Sequence, residues 1–281
     1  MKVITTLSIK QTISERLKKA KIQPSKGLGQ NFLISESAYS KIIEAGNIGP
    51  ENIVLEIGPG LGTLTEKIAE KADKVIAIEK DRHLVKFLSK HFAKNYKIKI
   101  FEGDALTINP DELGVGNYKI IANIPYYITS RLLRTIFEKW PKPASVVFLI
   151  QKEVAQRIMA KPPHTNILAL SVQYFANPKI ISYISKESFY PKPKVDSAII
   201  KLIPNDKITD SNQQTIKIFK TIKIGFSSKR KQLLNNLSAG FKISKDKVTE
   251  ILAQSEIALK ARPENLTLEQ WQKLSNILFL E

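Results

Sequence analysis

Apolar positions change period several times along the first two hundred residues. Between residues 35 and 45 they recur at helical spacing and Gly46 follows, which predicts a helix with a glycine stop. Short β-rich runs come next at 53–57, 74–78, 98–101, 119–122 and 145–150, with helical stretches between them. Strands that alternate with helices predict a parallel, doubly wound sheet. Past residue 179 two further runs, 180–184 and 198–203, flank a Pro- and Lys-rich loop at 189–194. With no helix between them, they are expected to form an antiparallel hairpin at the sheet edge. Residues 204–214 are polar and turn-rich, and from Thr215 to Ile277 only helical spacing remains. The expected organisation is a basic N-terminal arm over 1–26, an α/β domain over 27–205 and a small all-helical domain over 206–281.

Charge adds a partner to this picture. Forty-four Lys and Arg stand against 26 Asp and Glu, a formal net charge of +18 in 281 residues, and a polyanion is the simplest partner for such a chain. The first 26 residues carry seven basic residues and one acid, Glu15, and a short RNA-contacting arm accounts for them as well as a transit peptide does. There is no Cys, and His83, His91 and His164 are not spaced as ligands, so no metal is expected. No apolar run reaches the length of a membrane span and no secretory core opens the chain, so no membrane contact and a cytoplasmic location are expected. No heptad run suggests a coiled coil, and a monomer is expected.

Candidate chemistry clusters at the ends of the predicted strands. The run Val54-Leu55-Glu56-Ile57-Gly58-Pro59-Gly60-Leu61-Gly62-Thr63 is a strand entering a glycine-rich turn that opens a helix. Gly58 and Gly60 there let the backbone approach a ligand closely. A dinucleotide fingerprint would place its third glycine at 63, where Thr63 stands, and this weakens a nicotinamide reading. Glu79, nineteen residues after Gly60, ends the second strand, where a carboxylate can accept hydrogen bonds from both hydroxyls of a ribose. Asp104 and Ala105 follow the third strand, and Asp104 can accept from an adenine amino group. Each signal alone is also compatible with an ordinary turn. In this order they describe an adenosine-shaped pocket, and they resemble the class I S-adenosylmethionine-dependent methyltransferases.

The fourth strand leads into Asn123-Ile124-Pro125-Tyr126-Tyr127. An adenine amino group is a poor nucleophile because its lone pair is delocalised into the ring. A catalyst should accept hydrogen bonds from its N–H groups, and Asn123 Oδ1 with the carbonyl of Ile124 or Pro125 can do so. Tyr126 is placed to stack on the base, and Pro125 to stiffen the loop. Phe189, with Pro191 and Pro193, is read as the opposite wall for a flipped base, with Lys192 and Lys194 on phosphates. Packing at a sheet edge is the ordinary alternative for these rings.

With these motifs in place, the chain resembles the small-subunit ribosomal RNA adenine N6,N6-dimethyltransferase family along nearly its whole length, from Lys26-Gly27-Leu28-Gly29-Gln30-Asn31-Phe32-Leu33 to Ala261-Arg262-Pro263-Glu264-Asn265-Leu266. The resemblance implies a Rossmann-like class I methyltransferase sheet, mostly parallel with an antiparallel hairpin at its edge, followed by a small all-helical domain. It implies S-adenosylmethionine contacts from Asn31, Leu33, Gly58, Glu79, Asp104 and Asn123. The implied substrate is a pair of neighbouring adenosines near the 3′ end of small-subunit rRNA, dimethylated during ribosome assembly. Lys229, Arg230 and Lys231, in a segment similar to the family's basic stretch, are expected on phosphates. Two departures stand out: Arg131 where the family often has Pro, and Asn166-Ile167 where it often has Tyr-Gly. A large-subunit rRNA adenine methyltransferase of the macrolide-resistance type and a non-catalytic nucleic-acid-binding factor on the same scaffold remain as alternative readings.

Overall fold

The computed structural model describes residues 8–24, 29–205, 212–228 and 230–279; the side chains of Tyr126 and Asn212 lie outside that description. In chain order the elements are α1 (Ile9–Ala20), β1 (Phe32–Leu33), α2 (Glu36–Gly46), β2 (Ile53–Ile57), α3 (Thr63–Ala69), β3 (Lys74–Glu79), α4 (Arg82–His91), β4 (Ile98–Glu102), β5 (Tyr118–Asn123), α5 (Thr129–Lys139), β6 (Ser145–Gln151), α6 (Lys152–Ile158), α7 (Ile167–Phe175), β7 (Ala176–Ile184), β8 (Phe189–Tyr190), β9 (Ser197–Pro204), α8 (Asn212–Gly225), α9 (Leu233–Phe241), α10 (Lys245–Gln254) and α11 (Leu268–Leu278). They divide into two compact units, residues 1–155 with 178–204, and residues 156–177 with 205–281.

The first unit is built on a seven-stranded sheet of order β4-β3-β2-β5-β6-β9-β7. Its five leftmost strands are parallel, and β9 runs antiparallel to β6. Strands β2, β3 and β6 are buried at all but a terminal position, as a parallel sheet covered on both faces requires. Ile57 pairs with Ile78, Glu79 with Glu102 and Asn123 with Leu149, so the carboxyl ends of four strands come level. Connections leave β2 and β5 in opposite directions, and the crevice at such a switch point is where open α/β sheets hold ligands.

Three local features depart from the sequence reading. The basic arm contains α1, capped by a reciprocal Ser8–Gln11 pair, whose Ile13 and Leu17 pack with Leu61, Phe32 and Leu84. Arg16 on the same helix donates to the Leu61 carbonyl at 2.8 Å and pairs with Glu66, which fastens the helix to the glycine-rich turn. Helix α2 includes Gly46, because a side chain there would collide with Ile121, and the left-handed stop falls on Asn47 instead, at φ 44°. A two-stranded sheet also forms inside the predicted hairpin loop: β1 pairs antiparallel with β8, Phe32 opposite Tyr190 and Leu33 opposite Phe189.

The second unit is helical and takes in residues 156–177, which the sequence pattern had assigned to the sheet domain. Helix α7 packs on α8 and α11, and Leu170 and Tyr174 join a core centred on the fully buried Trp271. Thr165 ties this stretch to the C-terminal part, its N–H and hydroxyl both donating to the Glu264 carbonyl at 3.0 and 2.9 Å. Asn166, one of the departures from the family pattern, caps α7 through Ala169 N–H and donates to the Arg157 carbonyl. Among the described residues no helix is long and apolar enough to cross a membrane.

Candidate active site

A cavity of about 460 Å³ opens at the level carboxyl ends of the strands, within the range of roughly 300–1,000 Å³ that holds small ligands. Its floor is the turn between β2 and α3. Gly58, Gly60 and Gly62 all have positive φ, at 68°, 59° and 76°, a run of left-handed backbone that side chains resist. A Cβ on Gly58 would meet only Pro125, at 4.0 Å, so its absence leaves room for a ligand rather than for the protein.

Glu79 is 8% exposed and holds this turn from the end of β3. Its Oε2 accepts from Gly60 N–H at 3.1 Å, and its Oε1 from Lys80 and Asp81 N–H at 2.8 and 2.9 Å. Burial raises the carboxyl above the ordinary range, and the three N–H groups only partly offset it. On the next strand, Asp104 accepts from Leu106 N–H and from Lys80 Nζ, each at 2.9 Å. Burial works to raise its pKa, but these donors, with the Lys80 and Arg131 charges, hold it below the usual carboxylate value.

Across the cavity, Asn123 Nδ2 donates to the Asn31 carbonyl at 3.3 Å, which fixes the amide and leaves Oδ1 as its acceptor. Ile124 N–H donates to the Leu149 carbonyl at 3.1 Å, pinning the loop to β6. The segment before β1 forms a lid tied on both sides: Asn31 reaches Asn123, and Gln30 donates to Asp81 at 3.2 Å. Gly29, at φ 62°, brings its backbone close to Pro125 and the Tyr127 ring.

The structure thus brings Asn31, Leu33, Gly58, Gly60, Glu79, Asp104, Ala105, Asn123 and Pro125 to one cavity. It does not bring Phe189 there. That ring is 3% exposed in the core beside Leu33 and Ile199, because β8 alternates and turns Tyr190 outward instead. The Tyr126 side chain and Lys229 lie outside the described residues. Lys192 pairs with Glu187, while Lys194, Arg230 and Lys231 are exposed and do not line the cavity.

Several lining residues were given no site role by the sequence reading. Ile13 comes from α1, Tyr127 and Arg131 from the far wall, and Glu56 from inside β2. An acid in the otherwise apolar run Ile53-Val54-Leu55-Glu56-Ile57 was the available signal. Glu56 is 1% exposed and one of its oxygens has no partner among the described residues. Burial pushes its carboxyl up to about 8, with Thr65 drawing it back and the Glu79 charge adding to the rise. The unfolded chain ionises this group from about 4.5 upward while the folded chain keeps the proton to about 8. The stability it supports is therefore complete below pH 4.5 and declines as pH rises to 8, by at most ~1.4 kcal/mol per pH unit. Glu56→Gln should abolish that decline, so that its stability gain over the parent in urea titrations grows across this window; parallel curves would refute the assignment.

A model of the ribosomal RNA adenine dimethylase family matches residues 22–279. The chain belongs to this family. Curated relatives named ribosomal RNA small subunit methyltransferase A agree along nearly full length: that of Dehalococcoides mccartyi is 39% identical over 97% of this chain and 94% of its own, and that of Clostridioides difficile 36% identical over 97% and 96%. A solved dimethyladenosine transferase from Plasmodium falciparum superposes with a TM-score of 0.74 at 28% identity, covering 86% of this chain and 95% of that one. The 23S rRNA methyltransferase ErmE shares the fold, with a TM-score of 0.71 at 24% identity over 88% and 99%. As an rRNA adenine dimethylase the protein is a methyltransferase enzyme, and its family match begins at residue 22, after α1. Among the described residues there is no group of His, Asp or Glu suited to a metal in this dimethylase.

Proposed function

We propose that this protein uses S-adenosylmethionine to dimethylate N6 of two adjacent adenosines near the 3′ end of small-subunit rRNA. The observation that carries this reading is the convergence of Gly58, Glu79, Asp104 and Asn123 on one cavity, with the Asn123 amide already oriented. The residues present suit the cofactor: left-handed glycines leave room for its methionine end, Glu79 faces a ribose with a carboxylate, and Asp104 offers an acceptor to an adenine amino group. When bound, S-adenosylmethionine supplies a methyl on a sulfonium, which needs alignment more than a strong base.

Asn123 Oδ1 would accept one N–H of the target amino group and favour a pyramidal nitrogen, freeing its lone pair from the ring. The Pro125 carbonyl already accepts from Ile128 N–H at 3.2 Å, which favours the Ile124 carbonyl as the second acceptor. Methyl transfer would exchange the cofactor's S–C bond for an N6–C bond, and the surplus proton on N6, positioned by Asn123 Oδ1 and the Ile124 carbonyl, would be lost to solvent. A singly methylated nitrogen retains one N–H, enough for Asn123 to orient it for the second transfer.

Two adenosines with two methyls each require four transfers. Labelled S-adenosylmethionine and immature small ribosomal subunits lacking the modification should yield N6,N6-dimethyladenosine on nucleoside mass spectrometry. Label confined to protein-free large-subunit RNA would favour the resistance-type reading, and no label on either RNA a binding factor.

A further inference from the structure

The rim of the cavity beside Asp104 carries more positive charge than the cofactor can use. Lys80 is matched by Asp104, with Nζ at 2.9 Å from Oδ2, and the other oxygen of Asp104 is taken by Leu106 N–H. Arg131 lines the same cavity, is exposed, and has no hydrogen bond or ion pair among the described residues. Its neighbour one turn on, Arg134, is by contrast held by both oxygens of Glu138 at 2.9 and 2.8 Å.

Nothing in α5 explains Arg131. It stands in the first turn, where the helix dipole disfavours a cation, and that turn contains no acid. A residue that works against its own helix with no acid of that turn to offset it points to a function. On the reading given above, on which this inference rests, the one anion of S-adenosylmethionine is its carboxylate, at the glycine-turn end. The adenine end beside Asp104 has none. A cation left over at that end therefore faces outward, towards whatever enters the cavity mouth. Next to it the Tyr127 ring, 60% exposed, lines the same mouth and offers a face to a base.

We propose that Arg131 binds a backbone phosphate of the RNA beside the nucleoside entering the cavity, and so sets substrate affinity without touching the cofactor. A planar guanidinium suits a phosphate's oxygens, and the contact selects backbone rather than sequence.

The test compares the parent with Arg131→Ala, Arg131→Lys and, as a control, Arg134→Ala, on immature small subunits and on the rRNA fragment containing the target. Arg131→Ala should raise KM for subunits and weaken fragment binding about 5–10-fold, and make the slope of log affinity against log salt shallower by about 0.7–1. Cofactor affinity and kcat should stay within about two-fold, Arg131→Lys should regain most of the slope, and Arg134→Ala should match the parent. An unchanged salt slope, or a loss of cofactor affinity with RNA binding intact, would overturn the proposal. Should the parent transfer no methyl to subunits, the functional reading fails, and the salt slope on the fragment still decides for or against Arg131.

Discussion

Asn123→Ala should lower single-turnover methyl transfer by about 10²–10³-fold, the usual cost of removing one preorganised group that acts on charge developing in a transition state. The effect is large because the target nitrogen has few other acceptors. Pro125's carbonyl is engaged by Ile128, and among the described residues no His, Asp or Glu other than Glu56, Glu79, Asp81 and Asp104 lines the cavity. Cofactor affinity should fall far less, by about 5-fold, since what is lost there is one neutral hydrogen bond from Asn123 Nδ2 to the lid at Asn31. Rapid-quench measurement of the first methyl transfer, with calorimetry of cofactor binding, separates the two. An unaltered transfer rate would remove Asn123 from the chemistry.

Glu79→Ala should act in the opposite sense, on binding before chemistry. Its carboxylate gathers the N–H groups of Gly60, Lys80 and Asp81, so one truncation releases the turn and the start of α4 together. It also removes the acceptor proposed for both ribose hydroxyls. With charge-assisted hydrogen bonds contributing about 1.5–3 kcal/mol each, cofactor affinity should drop about 10²–10³-fold. At saturating cofactor the transfer rate should recover to within about ten-fold of the parent, because the proposed reaction centre at Asn123 belongs to another strand. Calorimetric titration would show it, and an affinity within a few-fold of the parent would mean that Glu79 serves the turn alone.

What could be read from the sequence was whatever is local. The glycine-rich turn, Glu79, Asp104 and Asn123 each stand at the carboxyl end of a strand, and a parallel sheet brings strand ends level, so order along the chain was enough to predict their meeting. Contacts made by distant segments left no such trace. Helix α1 looked like a basic arm because six of its chain's first twenty-one residues are Lys or Arg, while the buried face depends on two residues, Ile13 and Leu17. Phe189 looked like a wall because it opens a Pro-rich loop. Its pairing with Leu33 turns it inward, and that pairing joins segments more than 150 residues apart. The grouping of 156–177 with the C-terminal helices is set by Thr165 and Glu264, also distant in sequence. Glu56 was hidden differently: a buried acid gains meaning only once its missing partner is seen.

The position of α1 has a practical side. The family pattern starts at residue 22, after this helix, yet Ile13 forms part of the cavity wall and Arg16 grips the turn that floors it. A protein trimmed to the stretch that carries the shared motifs would keep every signature residue and lose one side of the vessel that holds the ligand. In this molecule, the stretch matched by the family model and the stretch that walls the cavity end at different places.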